Sequence, residues 1–200
     1  MAAKPGERKL QILQTIAEML QDPKREKITT ALLAAKLDVS EAALYRHFAS
    51  KAQMYEGLIE FIESSLFSVI NKIGAEQQSG LKQVELILTL LLGFAQTNHG
   101  LTRVLIGDAL VYENDRLQAR INQLLDRVEA SLKQALRIAA TNDEVPAGAD
   151  IAAAANLLMC YVAGRWQNFV KSGFVREPMA QWPQHWPMLL GCCVGGSAGT

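Results

Sequence analysis

The chain has 200 residues, half of them hydrophobic, with 20 lysines and arginines set against 20 aspartates and glutamates. That length and hydrophobicity suffice for a real core, so disorder is not the default reading, and the balanced charge by itself points to neither nucleic acid nor an acidic partner. The balance hides an asymmetry, because residues 1–55 carry a net charge of +3 and the remainder −3, as expected of a domain that meets phosphates joined to a body that does not.

Apolar positions recur with a period near 3.6 and nowhere alternate convincingly with period two, so the predicted fold class is all-α. Leu10, Leu13, Ala17 and Leu20 make the expected inward face of a first helix, which Asp22-Pro23 ends. Thr30 is expected to cap a short helix holding Leu33, Ala34 and Leu37, and Ser40 a second holding Leu44 and Phe48, with only Asp38 and Val39 between them. Ser50-Lys51-Ala52-Gln53 matches the S-x-x-Q capping box and opens a long helix through Met54, Leu58, Ile62, Leu66 and Ile70, fraying near Gly74 to Gly80.

Further helices are expected over Leu81 to Gln96, Leu101 to Ile106 and about Asp115 to Ala140. The last turns Leu117, Ile121, Leu124, Leu125, Val128, Leu132 and Leu136 inward. Val84 to Phe94 is the richest apolar stretch, but Glu85, Thr89 and Gly93 interrupt it and it is too short for a bilayer, so no membrane partner is expected. Asn142 to Gly148 reads as a loop. Between Asp150 and Lys171 there are two apolar seams, one of Ile151, Ala155, Leu158, Val162, Trp166 and Phe169, the other of Ala154, Leu157 and Tyr161. Two seams imply two neighbours, the chain's own core and an identical subunit; the alternative is a helix buried wholly within its own domain. Trp182, Trp186, Met188 and Leu189 begin a second such element. Leu157, Tyr161, Trp166 and Trp186 are therefore the expected homodimer interface. The expected domains are 1–50 (with the start of the following helix, to about 55) and 51–194, followed by a disordered tail at 195–200.

Three cysteines, two of them the adjacent Cys192 and Cys193, make no plausible disulfide framework, so a reducing cytoplasm is expected. Met1 to Arg8 is polar and unlike a signal peptide. His47, His99 and His185 are scattered, no Cys/His pair has metal-ligand spacing, and neither G-x-S-x-G nor a glycine-rich phosphate loop occurs. No catalytic residue, metal or cofactor is expected, and the chain reads as a non-enzyme.

The segment from Ile28 to Met54 carries the functional reading. Two short helices joined by so tight a turn, with an aliphatic residue inside it, form a helix-turn-helix, whose second helix enters a major groove of double-stranded DNA. If Val39, Leu44 and Phe48 face the core, then Glu41, Ala42, Tyr45 and Arg46 are left for base edges; Ala42 suits a thymine methyl and Arg46 a guanine or a phosphate. Thr29, Thr30, Ser40, Tyr45, His47 and Lys51 lie at helix starts or on the groove edge, where hydroxyls, imidazole, ammonium and backbone N–H groups suit phosphate oxygens. Plainer readings stand beside these: Tyr45 covering the domain, Lys51 a solvated first-turn residue, His47 bonding a carbonyl.

With Thr30, Leu33, Ala34, Val39, Ser40, Leu44, Tyr45, His47, Phe48, Lys51 and Met54 at these spacings, the segment resembles the TetR family of bacterial regulators, which implies an amino-terminal three-helix DNA-binding domain followed by a larger helical dimerisation domain. The departure is Asp38, where that family usually has glycine; aspartate tolerates the left-handed conformation better than most residues, so the turn is expected to survive. Val39 to Phe48, Leu58 to Glu63, Leu90 to Phe94, Gly100 to Arg103, Asp115 to Gln118 and Arg120 to Leu124 further resemble a branch of the family that acts in nucleoid occlusion. That resemblance implies a nucleoid-associated inhibitor of cell division that binds palindromic chromosomal sites as dimers, several per site, and antagonises polymers of the tubulin-like protein FtsZ. Carried over by position, Phe61, Leu90, Gly93 and Asn98 are its FtsZ-binding candidates. Periodicity alone would place Phe61 and Leu90 in the core and make Gly93 a close-packing position, and Val69 and Thr97 stand where close relatives are expected to have arginine. The competing reading is a TetR-type repressor released from its operator by a small molecule, with Tyr112, Asn156, Tyr161 and Trp166 as pocket linings.

Overall fold

The computed structural model describes residues 5–22 and 27–194. Every regular element among them is helical: α1 (Pro5–Met19), α2 (Thr30–Lys36), α3 (Glu41–Tyr45), α4 (Lys51–Glu76), α5 (Gly80–Thr97), α6 (His99–Leu105), a 3-10 turn (Asp108–Leu110), α7 (Asp115–Thr141), α8 (Ile151–Lys171) and α9 (Trp182–Val194). The all-α expectation therefore holds, and the unanticipated element is the 3-10 turn. The tail expected at 195–200 lies outside the described residues. The contacts divide the chain into two compact units, Met1–Glu63 with Asn98–Ile121, and Ser64–Thr97 with Asn122–Thr200.

In the first unit the core is built from Ile12, Ile16, Leu20, Leu33, Leu44, Phe48, Met54, Leu58 and Ile59, joined by Leu101, Val104, Leu105 and Leu117. The inward face of α1 differs from the expected one. Ile12, Ile16 and Leu20 are buried, whereas Leu10 is 47% exposed. A face centred on the i, i+4 row 12-16-20 buries two β-branched side chains and admits Thr15, whose hydroxyl donates to the Gln11 carbonyl at 2.9 Å and so enters the core without a lost hydrogen bond. Leu13 and Ala17 flank this row and pack against glycines. A Cβ on Gly57 would lie 3.1 Å from Leu13 Cδ2, and one on Gly100 would lie 2.0 Å from the Ala17 carbonyl oxygen. The second value requires glycine where α6 crosses α1.

Arg103 fixes the same crossing. Its side chain is buried, with Nε 2.6 Å from Asp108 Oδ2 and Nη1 donating to the Leu20 carbonyl at 3.1 Å, just beyond the end of α1. A buried cation is tolerable when its donors meet a carboxylate and carbonyls at a helix terminus left without intrahelical partners.

In the second unit α5 and α8 pack together through Ile87, Leu88, Leu91, Leu158, Val162, Trp166 and Phe169, while α7 buries Leu124, Val128, Leu132 and Leu136 as expected. The amino terminus of α5 is held by a side chain remote in sequence. Glu144 accepts from the Ser79 hydroxyl at 2.9 Å, Leu81 N at 2.8 Å, Gly80 N at 3.3 Å and Asn142 Nδ2 at 3.1 Å. Burial pushes the Glu144 carboxyl up, but its donors (Leu81 N–H, the Asn142 amide, the Ser79 hydroxyl and the Gly80 N–H) outweigh that and hold it below its ordinary value. Asp150 caps α8 by accepting from Ala152 N and Ala153 N, both at 3.0 Å.

Three helix ends share one solution. Asp38 (φ 54°), Asp143 (φ 57°) and Gly173 (φ 66°) are left-handed, each followed by an amide reaching back into the last turn: Val39 N to Ala34 O at 3.0 Å, Glu144 N to Ala139 O at 2.8 Å, Phe174 N to Phe169 O at 2.9 Å. This is the Schellman arrangement, which satisfies carbonyls left over at a helix end.

Candidate nucleic-acid interface

The helix-turn-helix, the proposed reader of DNA, begins at Thr29. Its backbone is extended (φ −101°, ψ 157°) and its side chain accepts from Leu32 N at 3.2 Å, so Thr29, not Thr30, caps α2. Thr30 is instead the first helical residue, and its hydroxyl donates to Glu41 Oε2 at 2.5 Å. This bond ties the start of α2 to the start of α3, so two candidate DNA-contacting groups hold each other in position. Between the helices Asp38 adopts the expected left-handed conformation, and Val39 is half-buried in the turn.

Ser40 is extended and accepts from Ala43 N at 3.2 Å, capping α3 as expected. A five-residue helix has little propensity of its own to draw on, so its cap and its one buried side chain, Leu44, fix it. Leu44 and Phe48 are buried, and the Lys9 ammonium lies 5.6 Å from the Phe48 ring centroid. Glu41, Ala42, Tyr45 and Arg46 are all exposed, with Tyr45 at 46%, and His47 is half-buried. The short helix and its carboxy-terminal cap residue therefore present a carboxylate, a methyl, a phenol and a guanidinium on a surface whose opposite side is core.

Ser50 caps α4 by accepting from Gln53 N at 3.2 Å, while Gln53 Oε1 accepts from Ala49 N at 2.8 Å. The capping box thus closes one residue further back than its usual form. Lys51 departs from the expectation of a free ammonium. Its Nζ pairs with the Glu113 carboxylate, the two side chains only 20% and 11% exposed, and sits 5.5 Å from the Tyr55 ring centroid. Burial, with the Glu113 charge adding to it, pushes the Tyr55 phenol well above its ordinary value. Glu113 also lines a cleft of about 340 Å³ with Leu20, Lys27, Tyr55, Arg103 and Tyr112. No sequence signal marks Glu113, because Lys51 and Glu113 are 62 positions apart and share no helix; Arg103 stands out only as part of the Gly100 to Arg103 resemblance, which says nothing of its burial.

Of the remaining candidates, Phe61 is 47% exposed and Val69 38% exposed, so neither is core. Leu90 and Asn98 are half-buried, and a Cβ on Gly93 would meet nothing within 4 Å, which removes the close-packing reading of that glycine. Among the expected interface residues, Leu157 is 44% exposed and Trp186 is half-buried, its ring 5.8 Å from that of Trp182. The half-buried Tyr161 shares a hydrogen bond with His185 Nδ1 at 2.9 Å. Trp166 is different. It is 1% exposed with Nε1 donating to the Leu91 carbonyl at 3.1 Å, so its side chain belongs to the core of its own chain and can support an interface only from beneath. Burial likewise removes Trp166 as a pocket lining, and Tyr112, 79% exposed, belongs to the other unit from Asn156 and Tyr161. No helix among the described residues is long and apolar enough to cross a membrane.

A capped recognition helix on a helix-turn-helix, followed by an all-helical body, defines a DNA-binding regulator. The description "Bacterial regulatory proteins, tetR family" matches residues 12–58, and "Tetracyclin repressor-like, C-terminal domain", of the SlmA-like kind, matches residues 78–192. The nucleoid occlusion factor SlmA of Alteromonas mediterranea is 52% identical over 92% of this chain and 95% of its own, and that of Marinomonas sp. is 47% identical over 94% and 96%. The Vibrio cholerae SlmA is 48% identical over 91% and 93%. Among solved structures, the fatty acid degradation regulator FadR of Bacillus halodurans superposes over the whole of both chains with a TM-score of 0.76 at 16% identity. FadR of Bacillus subtilis, in complex with stearoyl-CoA, gives 0.73 at 17% over 90% of this chain and 96% of its own. These two likenesses concern the fold alone. The chain belongs to the TetR family, and within it to the SlmA nucleoid occlusion factors.

Proposed function

We propose that this chain binds palindromic chromosomal DNA as a homodimer, several dimers to a site, and in that state antagonises FtsZ polymers over the nucleoid. The observation that carries the reading is the exposed face of the capped recognition helix, Glu41, Ala42, Tyr45 and Arg46, in a chain about half identical to SlmA proteins across both the reader and the body. In this reading Ala42 and Arg46 meet base edges, and Thr29, Thr30, Ser40, Tyr45, His47 and Lys51 meet the phosphate backbone. Glu41 is a different contributor from the one first expected: with Thr30 donating to it, it orders the start of α3 and has less freedom to accept from a base. Leu157, Tyr161 and Trp186 form the two-fold interface over the buried Trp166. Phe61, Leu90, Gly93 and Asn98 are the FtsZ-facing positions, supported by the exposure of Phe61 and the open space at Gly93. The protein then works on the nucleoid in the cytoplasm and performs no chemistry of its own.

Sedimentation of GTP-assembled FtsZ tests this. A duplex selected by the protein from random DNA, added together with the protein, is expected to lower the pelleted fraction, and each component alone to leave it higher. No change, combined with release of the protein from DNA by a metabolite, would overturn the proposal in favour of a ligand-responsive repressor.

A further inference from the structure

Lys51 opens α4, so its ammonium stands near the positive end of a 26-residue helix, where a cation is disfavoured and a carboxylate welcome. Glu113 supplies that carboxylate from the short connection between the 3-10 turn and α7, and no other ion pair of Lys51 is found among the described residues. Three features make the pair more than an incidental surface contact. Both side chains are mostly buried, so water screens them less than an exposed pair. The Lys51 ammonium itself stands 5.5 Å from the centroid of the Tyr55 ring, which limits where it can go. And Lys51 follows directly on the loop after the recognition helix, where a duplex seated on Ala42, Tyr45 and Arg46 would bring a phosphate.

We infer that Glu113 is an internal competitor for DNA: its carboxylate occupies the Lys51 ammonium in the free protein, and a DNA phosphate must take its place for the reader to dock. Glu113 is thus a positioning residue for DNA binding that acts through Lys51 and sets the reader's affinity below what its surface could give. The inference rests on the proposed phosphate contact of Lys51. Its mechanism is an exchange of one anionic partner for another, so it differs from simple repulsion between Glu113 and DNA.

A double-mutant cycle separates the two. Binding of the full chain to a selected duplex is measured by fluorescence anisotropy across a salt series for wild type, Glu113→Gln, Lys51→Ala and the double variant. Exchange predicts that Glu113→Gln tightens binding by about two- to fivefold, the range set by a partly buried ion pair, but only while Lys51 is present. In the Lys51→Ala background the same change should give a smaller gain, and Lys51→Ala should lower the magnitude of the salt slope by about one phosphate equivalent. Equal tightening in both backgrounds means general repulsion and overturns the inference. No effect of Glu113→Gln while Lys51→Ala weakens binding overturns it too, and leaves the docking intact. Lys51→Ala without effect on affinity or slope removes the docking itself. Amide exchange on the wild-type chain needs no variant: residues 110–114 should exchange faster when the duplex is bound, and unchanged or slower exchange there overturns the exchange mechanism.

Discussion

Replacing Glu144 by alanine removes one acceptor for four donors: the Ser79 hydroxyl, the Gly80 and Leu81 amides, and the Asn142 side chain. Loss of a helix amino-terminal cap costs about 1 kcal/mol, and hydrogen bonds to an ionised acceptor add to this, though partial exposure at the loop discounts the addition. The expected cost is about 1–2 kcal/mol at neutral pH, equivalent to a fall in melting temperature of about 3–6 °C for a chain of this size. Because the folded-state pKa of Glu144 is lowered, its contribution is fully present above the ordinary carboxylate value of 4.5 and is lost as the pH falls through the lower folded value. Urea unfolding followed at neutral pH and in steps into acid therefore should show the gap between wild type and Glu144→Ala closing in acid, with Glu144→Gln intermediate at pH 7. Identical midpoints at pH 7, or a gap undiminished in acid, would refute the assignment of Glu144 as the charged cap of α5.

Gly80→Ala probes the crossing of the same helix with α7. The new methyl would lie 2.2 Å from Ala139 N and 2.3 Å from the Ala135 carbonyl oxygen, both backbone atoms that cannot swing aside. The expected loss is about 1–3 kcal/mol, read as a lower urea midpoint; a stability gain would show that α5 shifts without cost. Leu157→Asp puts a charge at an exposed position of α8 while leaving the side chains buried in the chain's own core alone. Analytical ultracentrifugation should then find monomer where wild type is dimeric, with unchanged far-ultraviolet circular dichroism, and a variant that remains dimeric would remove Leu157 from the interface.

Much of the fold was legible because its signals are local. The Ser40 cap, the left-handed Asp38 and the α7 seam each depend on neighbours within about one turn of helix, and the amino-acid pattern contains those neighbours. Thr29 and Thr30 show the limit. Both carry a hydroxyl, and the choice of cap is made by which residue takes the extended backbone, which the pattern does not state. Of the expected inward face of α1 only Leu10 turns outward, with Ile12 and Ile16 taking the centre, because the packing partner, α6 through Gly100 and Arg103, enters from more than 80 residues away. The Lys51 pairing was hidden for the same reason. A lysine at a helix start reads as free cation until the chain brings a carboxylate to it. Trp166 misled in the opposite sense, since a large aromatic on a helix with two apolar seams fits either seam, and only the Leu91 carbonyl that receives its indole N–H places it.

The chain contains three tryptophans, Trp166, Trp182 and Trp186, and all of them fall in the unit formed by Ser64–Thr97 and Asn122–Thr200. The unit that carries the reader has no tryptophan, and its tyrosines are Tyr45, Tyr55 and Tyr112. Emission excited selectively from indole is therefore a spectroscopic window on the body from which the reader is dark. A change in that emission when DNA is added is a change in the body or at its proposed two-fold interface, so an unlabelled cuvette measurement distinguishes a body that registers DNA from one that merely carries its reader.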